Sequence, residues 1–344
     1  MKQEMIVLTL IVPAYNSAAT LEKCLHSLFD EQVQDEIEVI IVNDGSTDST
    51  AAIAQAFVNK HPNCRLINKE NGGHGSVINV ASKLASGKYI KVIDSDDWVQ
   101  TQNLPSYVKA LVNAQADVVL THFRTHDSRS GVTREYKMQN VDLNKEYLFE
   151  ALWKQKSNSI KHVCNFHGIT YQRQFYNECN LHLSEGISYE DQEYATLPFA
   201  NIKTILPLDL YLYEYSLGSA TQSVSEENQV KKFPDMLQVF WRLMNEPLHE
   251  KNKSINDYIN FKQGEKLLSC YITGLIINKN KKEGRKQINN LRTKLKVINK
   301  KTYNNAQKKY WICLVASYLG FNGTHLRRIK ESPLCKRMAA WVRK

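Results

Sequence analysis

Lys88-Tyr89-Ile90-Lys91-Val92-Ile93-Asp94-Ser95-Asp96-Asp97 reads as a buried strand that ends on three carboxylates. A short apolar run of this kind belongs to a sheet covered on both faces, which is the habit of parallel sheets in α/β proteins. Acidic side chains gathered at a strand's carboxyl end repel one another unless a cation or hydrogen-bond donors compensate them. Hard divalent cations take such oxygen ligands, and Mg²⁺ commonly shares its shell with a substrate's phosphates. The stretch therefore points to an α/β fold with a cation-bridged, phosphate-bearing ligand at a strand end.

The flanking sequence repeats the same unit. Residues 6–12 form an apolar run closed by Pro13, and 17–29 continue at helical spacing. Residues 37–42 are a second buried strand, and Asp44-Gly45-Ser46-Thr47-Asp48 forms a turn and helix N-cap before a helix at 51–58. Residues 64–67 make a third strand, and Asn71-Gly72-Gly73-His74-Gly75-Ser76 reads as a flexible loop feeding a helix at 77–85. A helix near 104–112 and a strand at 117–120 follow the acidic cluster. Repeated βα units predict a mostly parallel sheet flanked by helices. In such sheets ligands bind beyond the carboxyl ends of the strands, where the strand order reverses. Tyr15, Asp44, Asn71 and Asp94 each follow a strand, which places them on one rim. Residues 123–215 are less regular, with a helix about 145–153, and are expected to close the acceptor side; 230–277 look helical.

The hydrophobic and charged shares, 42% and 23%, are those of an ordinary soluble protein. Seven scattered cysteines, with no CxxC pair, favour a reducing compartment. The N-terminus enters a strand with no signal-peptide layout, and the apolar stretch 310–319 is about half of the ~20 residues a membrane helix needs. The net charge of +10 is unevenly spread: residues 279–344 hold nineteen Lys/Arg against Glu283 and Glu331, or +17, which leaves −7 for residues 1–278. Ile288, Leu291, Leu295 and Ile298 share one helical face, and Tyr310, Trp311 and the terminal Trp341 lie among lysines and arginines. Basic helices with such aromatics suit an anionic membrane surface. Nucleic acid is not expected as a partner, because no recognised binding module accompanies the charge. The expected location is cytoplasmic, peripheral on the inner face of the cell membrane.

Ile11-Val12-Pro13-Ala14-Tyr15-Asn16, Val42-Asn43-Asp44-Gly45-Ser46-Thr47-Asp48, Asn71-Gly72-Gly73 and Asp94-Ser95-Asp96-Asp97 resemble, in order and spacing, the donor-site motifs of family-2 glycosyltransferases of the GT-A fold. The resemblance implies a GT-A (Rossmann-like) α/β catalytic domain over residues 1–225. Residues 1–120 would bind the nucleotide-sugar and 121–225 form the acceptor side. Residues 226–344 would be a helical, basic C-terminal extension, strongly basic and membrane-associating from 279. The implied enzyme is an inverting, metal-dependent hexosyl- or N-acetylhexosaminyltransferase with a UDP-linked donor. Its acceptor would be a lipid-linked or glycan hydroxyl in cell-surface polysaccharide, teichoic acid or glycolipid synthesis.

Residue by residue, the resemblance assigns donor binding to Pro13, Tyr15, Asp44, Asn71, Gly75, Asp94 and Ser95. It assigns a Mg²⁺ or Mn²⁺ ion to Asp96 with Asp94. Tyr189-Glu190-Asp191-Gln192-Glu193-Tyr194 resembles the family's acceptor-side acid pair, which makes Asp191 the catalytic base and puts Glu190 and His167 on the acceptor side. Gly218-Ser219 and the tyrosines before it resemble the family's later Tyr-rich segment, but Glu214 stands where many relatives have a basic residue. His162, Cys164 and His167 lack a fourth zinc ligand. Two other functions remain open, a nucleotidyltransferase and a non-catalytic nucleotide-sugar-binding scaffold. The first should show a Gly-rich, Arg/Lys-bearing loop where Pro13-Ala14-Tyr15-Asn16 stands, and the second would bind donor without turnover.

Overall fold

Seven consecutive buried residues, Leu8–Ala14, form strand β1, which is flanked on both sides in the sheet. The computed structural model describes residues 6–155, 158–218, 225–245 and 252–325. The remaining strands are β2 (Ile37–Asp44), β3 (Cys64–Lys69), β4 (Tyr89–Val92), β5 (Trp98–Val99), β6 (Val118–Asp127), β7 (Val132–Tyr136), β8 (Tyr147–Leu148), β9 (Ile169–Gln172) and β10 (Thr204–Leu217). The helices up to residue 200 are α1 (Leu21–Ser27), α2 (Thr50–Val58), α3 (His74–Leu84), α4 (Leu104–Asn113), α5 (Phe149–Lys154), α6 (Asn158–Val163), α7 (Arg173–Glu178) and α8 (Asp191–Tyr194).

The main path of the sheet runs β3-β2-β1-β4-β9-β6-β10-β5, with β7 beside β6 and β8 beside β10. Strands β3, β2, β1 and β4 are parallel, as are β6 and β10. The parallel arrangement expected from the sequence is present in β3-β2-β1-β4, but the sheet as a whole is mixed: β9 runs antiparallel to both β4 and β6, and β5, β7 and β8 are antiparallel to their neighbours. Reversal lets a four-residue strand fill the gap without a crossover helix of its own. The order changes direction between β1 and β4, so the chain ends of those two strands flank the crevice where α/β sheets hold ligands.

Pro13 lies inside β1 rather than after it. Ile11 accepts from Ile93 N (2.9 Å) and position 13 faces the same side, but β4 ends at Val92, so no ladder bond is forfeited there. Helix α3 starts at His74, three residues before the expected start, because the Ser76 hydroxyl and amide both donate to the Gly73 carbonyl and close its first turn. The helix expected at 145–153 is instead the short strand β8 followed by α5, since Tyr147 pairs with Ile205 of β10. Leu10, Val12, Val39, Ile41, Tyr107, Leu111, Phe123 and Tyr213 meet in the core beneath the sheet. Each such side chain contributes about 1.5–3 kcal/mol on burial.

The chain divides into two compact units, residues 1–218 with 248–256, and 219–247 with 257–344. This division and the expected boundary at 225 bracket residues 219–224, which are outside the described residues together with the basic run 336–344. The second unit contains α9 (Glu226–Lys231), α10 (Phe233–Met244), most of α11 (Lys253–Tyr271), a π-helical turn (Ile272–Ile277), α12 (Lys281–Ile298), α13 (Lys300–Asn305) and α14 (Gln307–Tyr318). Helix α12 crosses the π-helical turn at Gly284, where a Cβ would lie 1.9 Å from the Gly274 carbonyl oxygen. Ile288, Leu291 and Leu295 are buried on one face of α12, as their spacing predicts, while Ile298, expected on the same face, is exposed. Among the described residues no helix is long and apolar enough to cross a membrane.

Candidate active site

Strand β4 delivers Asp94 to the crevice, and the loop after β1 meets it there: the hydroxyls of Ser17 and Ser95 are 2.7 Å apart. Asp94 is paired with His74, whose Nε2 lies 2.9 Å from Asp94 Oδ1 while its Nδ1 lies 2.7 Å from Glu190 Oε1. One imidazole thus joins Asp94, just after β4, to Glu190 at the start of α8. Burial alone would lower the His74 pKa, but Asp94 and Glu190 outweigh it and hold the value well above that of an ordinary histidine. Burial in turn works against the Asp94 charge, and His74 outweighs that, so its carboxyl stays below the usual carboxylate range.

Asp97 is buried beneath this pair. Its Oδ2 accepts from Tyr213 Oη (2.6 Å) and its Oδ1 from Ser216 N (2.7 Å), while Tyr213 Oη also accepts from Asp94 N (3.1 Å). Burial, with Asp94 and Asp96 nearby, raises the Asp97 carboxyl well above its normal range. His167 sits in the turn Phe166–Gly168 and stacks on Tyr215 with ring centroids 4.1 Å apart. Its Nδ1 is buried without a hydrogen-bond partner, and burial pushes its pKa down to about 4, leaving a neutral ring with a lone pair to offer. Asp94, Asp97 and His167 each present one ligand atom within 4.8 Å of the others. Two carboxylates and an unpartnered neutral imidazole fit a divalent cation such as Mn²⁺. Asp96, which the sequence reading put at the metal, is half-buried and is not a member of that set.

Asp44, at the end of β2, accepts from Lys69 Nζ (2.7 Å) and Gly72 N (3.0 Å) on one oxygen and from Gly73 N (2.8 Å) on the other. It therefore shapes the loop after β3, with both of its oxygens engaged by this chain. Asn71 Nδ2 donates to the Asp44 carbonyl (3.0 Å). Tyr15 is half exposed at the rim, and Pro13 lies in the strand behind it. A Cβ on Gly75 would lie 2.2 Å from the Ser184 carbonyl oxygen and 3.0 Å from Glu190 Cγ. That glycine seats α3 against the segment bearing the acid pair. Asp191 opens α8 and accepts from Gln192 Nε2 (2.9 Å). Glu214 is buried and engaged by Gln100, Arg124 and His126, so it anchors β10 to its neighbours. Ser219 is outside the described residues.

A model of glycosyl transferase family 2 matches residues 9–179, about half of the chain, and includes Tyr15, Asp44, Asn71 and Asp94. The chain belongs to glycosyl transferase family 2.

Among curated family members, the uncharacterized glycosyltransferase EpsJ of Bacillus subtilis (strain 168) is 28% identical over 221 residues, 63% of this chain and 63% of that protein. The poly(ribitol-phosphate) beta-glucosyltransferase of Bacillus spizizenii is 30% identical over 140 residues, 40% of this chain and 22% of that protein. The chain thus spans less than two thirds of these relatives. The crystal structure of S. aureus TarS 1–349 in complex with UDP-GlcNAc superposes with a TM-score of 0.67 at 22% identity, covering 92% of both chains, which establishes a shared GT-A fold.

The family motifs locate Asp44, Asn71, Ser95 and Asp94 in one crevice, with Glu190 brought to it through His74. The sequence singles out neither His74 nor Lys91, and marks Asp97 and Tyr213 only as members of the acidic cluster and of the Tyr-rich segment. For Lys91 a signal was visible, a lysine inside an apolar strand; it is fully buried and donates to the carbonyls of His167 (2.9 Å) and Ile169 (3.1 Å).

Proposed function

We propose that the protein transfers a sugar from a UDP-linked donor to a hydroxyl of a lipid-linked or glycan acceptor in cell-surface polysaccharide, teichoic acid or glycolipid assembly. The observation that supports this best is the His74 bridge, one imidazole within hydrogen-bonding distance of both Asp94 and Glu190, the residues that this reading takes as donor-side and acceptor-side. The UDP-GlcNAc complex of a protein sharing the fold favours a uridine donor, and a relative acting on poly(ribitol-phosphate) favours a cell-surface acceptor.

In this reading the acceptor oxygen attacks the anomeric carbon while Asp191 takes the hydroxyl proton. The bond from that carbon to the diphosphate oxygen breaks, its electron pair leaves with the diphosphate, and the configuration inverts. Glu190 is held by His74 and so does not compete for the proton. Asp94, Asp97 and His167 are the residues to hold Mg²⁺ or Mn²⁺, with Asp96 as the alternative ligand. When bound, such an ion stabilises charge on the departing diphosphate.

Calorimetry with UDP, GDP, CDP and dTDP, with and without Mn²⁺, tests the donor; UDP binding strengthened by Mn²⁺ and lost in Asp94→Ala is expected. Asp191→Asn should keep UDP binding but lose about 10²–10⁴-fold in transfer. Normal transfer by that variant removes Asp191 as the base. A folded protein that binds none of the nucleotides overturns the donor assignment.

A further inference from the structure

Helix α14 is apolar on both sides. Tyr310 and Cys313 are buried inward, yet Trp311, Ile312, Val315, Tyr318 and the following Leu319 are 56%, 59%, 54%, 70% and 70% exposed. At 100° per residue these five fall on the face opposite Tyr310, Cys313 and Ser317, interrupted there only by Lys308. A helix that has buried one stripe has no packing reason to carry a second, and soluble monomers rarely expose a contiguous apolar patch of this size.

The surroundings say what covers it. Residues 279–325 hold twelve Lys/Arg, of which only Arg292 is buried, and one acid, Glu283, while the Glu226 carboxylate of α9 lies beside Gly323 beyond the stripe. Lys308 and Lys309 flank the first turn of the stripe, and the Arg285 guanidinium of α12 lies 4.4 Å from the Tyr318 ring centroid at its other end. A second copy of the same face would bring like charges together, which opposes self-association. An apolar stripe carrying Trp and Tyr within a basic rim matches the acyl boundary beneath anionic headgroups. We infer that the outward face of α14 seats the protein on an anionic lipid surface, with Trp311, Ile312 and Val315 entering the acyl boundary and the surrounding lysines and arginines meeting the headgroups. The face belongs to the second unit and the crevice residues to the first, so the inference stands or falls without the transfer reaction.

The test is co-sedimentation of the full chain with vesicles of phosphatidylcholine alone or mixed with phosphatidylglycerol, at low and high salt. Retention on the anionic vesicles at low salt is expected, weakened by salt. The combined variant Trp311→Ser, Ile312→Ser, Val315→Ser should lose about tenfold or more in partitioning, with its melting curve and UDP binding unchanged. Lys308→Glu with Lys309→Glu, which keeps the stripe, should also weaken retention. No retention of the wild type overturns the inference. So does equal retention of the stripe variant, which would move the contact to charge elsewhere. Stripe-dependent dimers in sedimentation velocity, without vesicle binding, would assign the face to a second copy instead.

Discussion

His74 Nε2 and Asp94 Oδ1 lie 2.9 Å apart, and the other nitrogen of the same ring reaches Glu190. The contact binds the first turn of α3 to the end of β4 and sets one positive charge between two acids. His74→Gln keeps hydrogen-bonding capacity but removes the charge, leaving buried Glu190 with no cation. Since His74 and Asp94 are each more than a quarter exposed, the expected loss is moderate, about 2 kcal/mol. A lower melting temperature together with weaker UDP binding is expected; a variant with both unchanged would show that the bridge does not organise the site.

The cation set makes a distinction that metal titration can read. If Asp94, Asp97 and His167 hold the ion, His167→Ala weakens Mn²⁺ affinity more than Asp96→Ala does, as followed by electron paramagnetic resonance of free Mn²⁺. The opposite ranking would return the ion to Asp96, the ligand the family motif implies.

Gly75→Ala introduces a Cβ 2.2 Å from the Ser184 carbonyl oxygen, and backbone cannot yield as a flexible side chain does. Overpacking of this kind costs about 1–3 kcal/mol. Thermal denaturation should show the loss, with transfer falling as the Glu190-Asp191 segment is displaced. An unshifted melting curve would mean that this segment moves freely away from α3.

Burial lowers the Lys91 pKa from 10.5 to about 7. The folded value lies below the unfolded one, so between those pH values the unfolded chain binds more protons and wild-type stability rises with pH. Below about pH 7 the penalty is present in full. Lys91→Met removes it but also removes the bonds that hold the carbonyls of His167 and Ile169. The stability of the variant relative to wild type should therefore be greatest near pH 7 and decline towards pH 10, measured by urea denaturation across that range. A difference independent of pH would mean that Lys91 is not buried as a charge. Donor affinity in the variant should fall at every pH, because the turn carrying His167 is released.

The sequence by itself determined the alternation of strands and helices, the rim of motif residues after β1, β2, β3 and β4, and the basic character of the C-terminal third. These features are local: apolar periodicity fixes each element, and a residue just after a parallel strand must stand at the sheet's carboxyl edge. Which side chains meet across that edge was settled only in three dimensions. His74 joins Glu190 across 116 positions, and Tyr213 joins Asp97 across the same span. Neither partner stands in a pattern that marks the other, since the antiparallel insertion of β9 and the fold-back of residues 184–191 bring them together. The early start of α3 was likewise hidden, because a glycine-rich run reads as a loop until its first turn is closed by Ser76. The charge of the last helices was legible residue by residue, but which face of α14 stays uncovered depends on what packs against the other one, and only tertiary packing decides that.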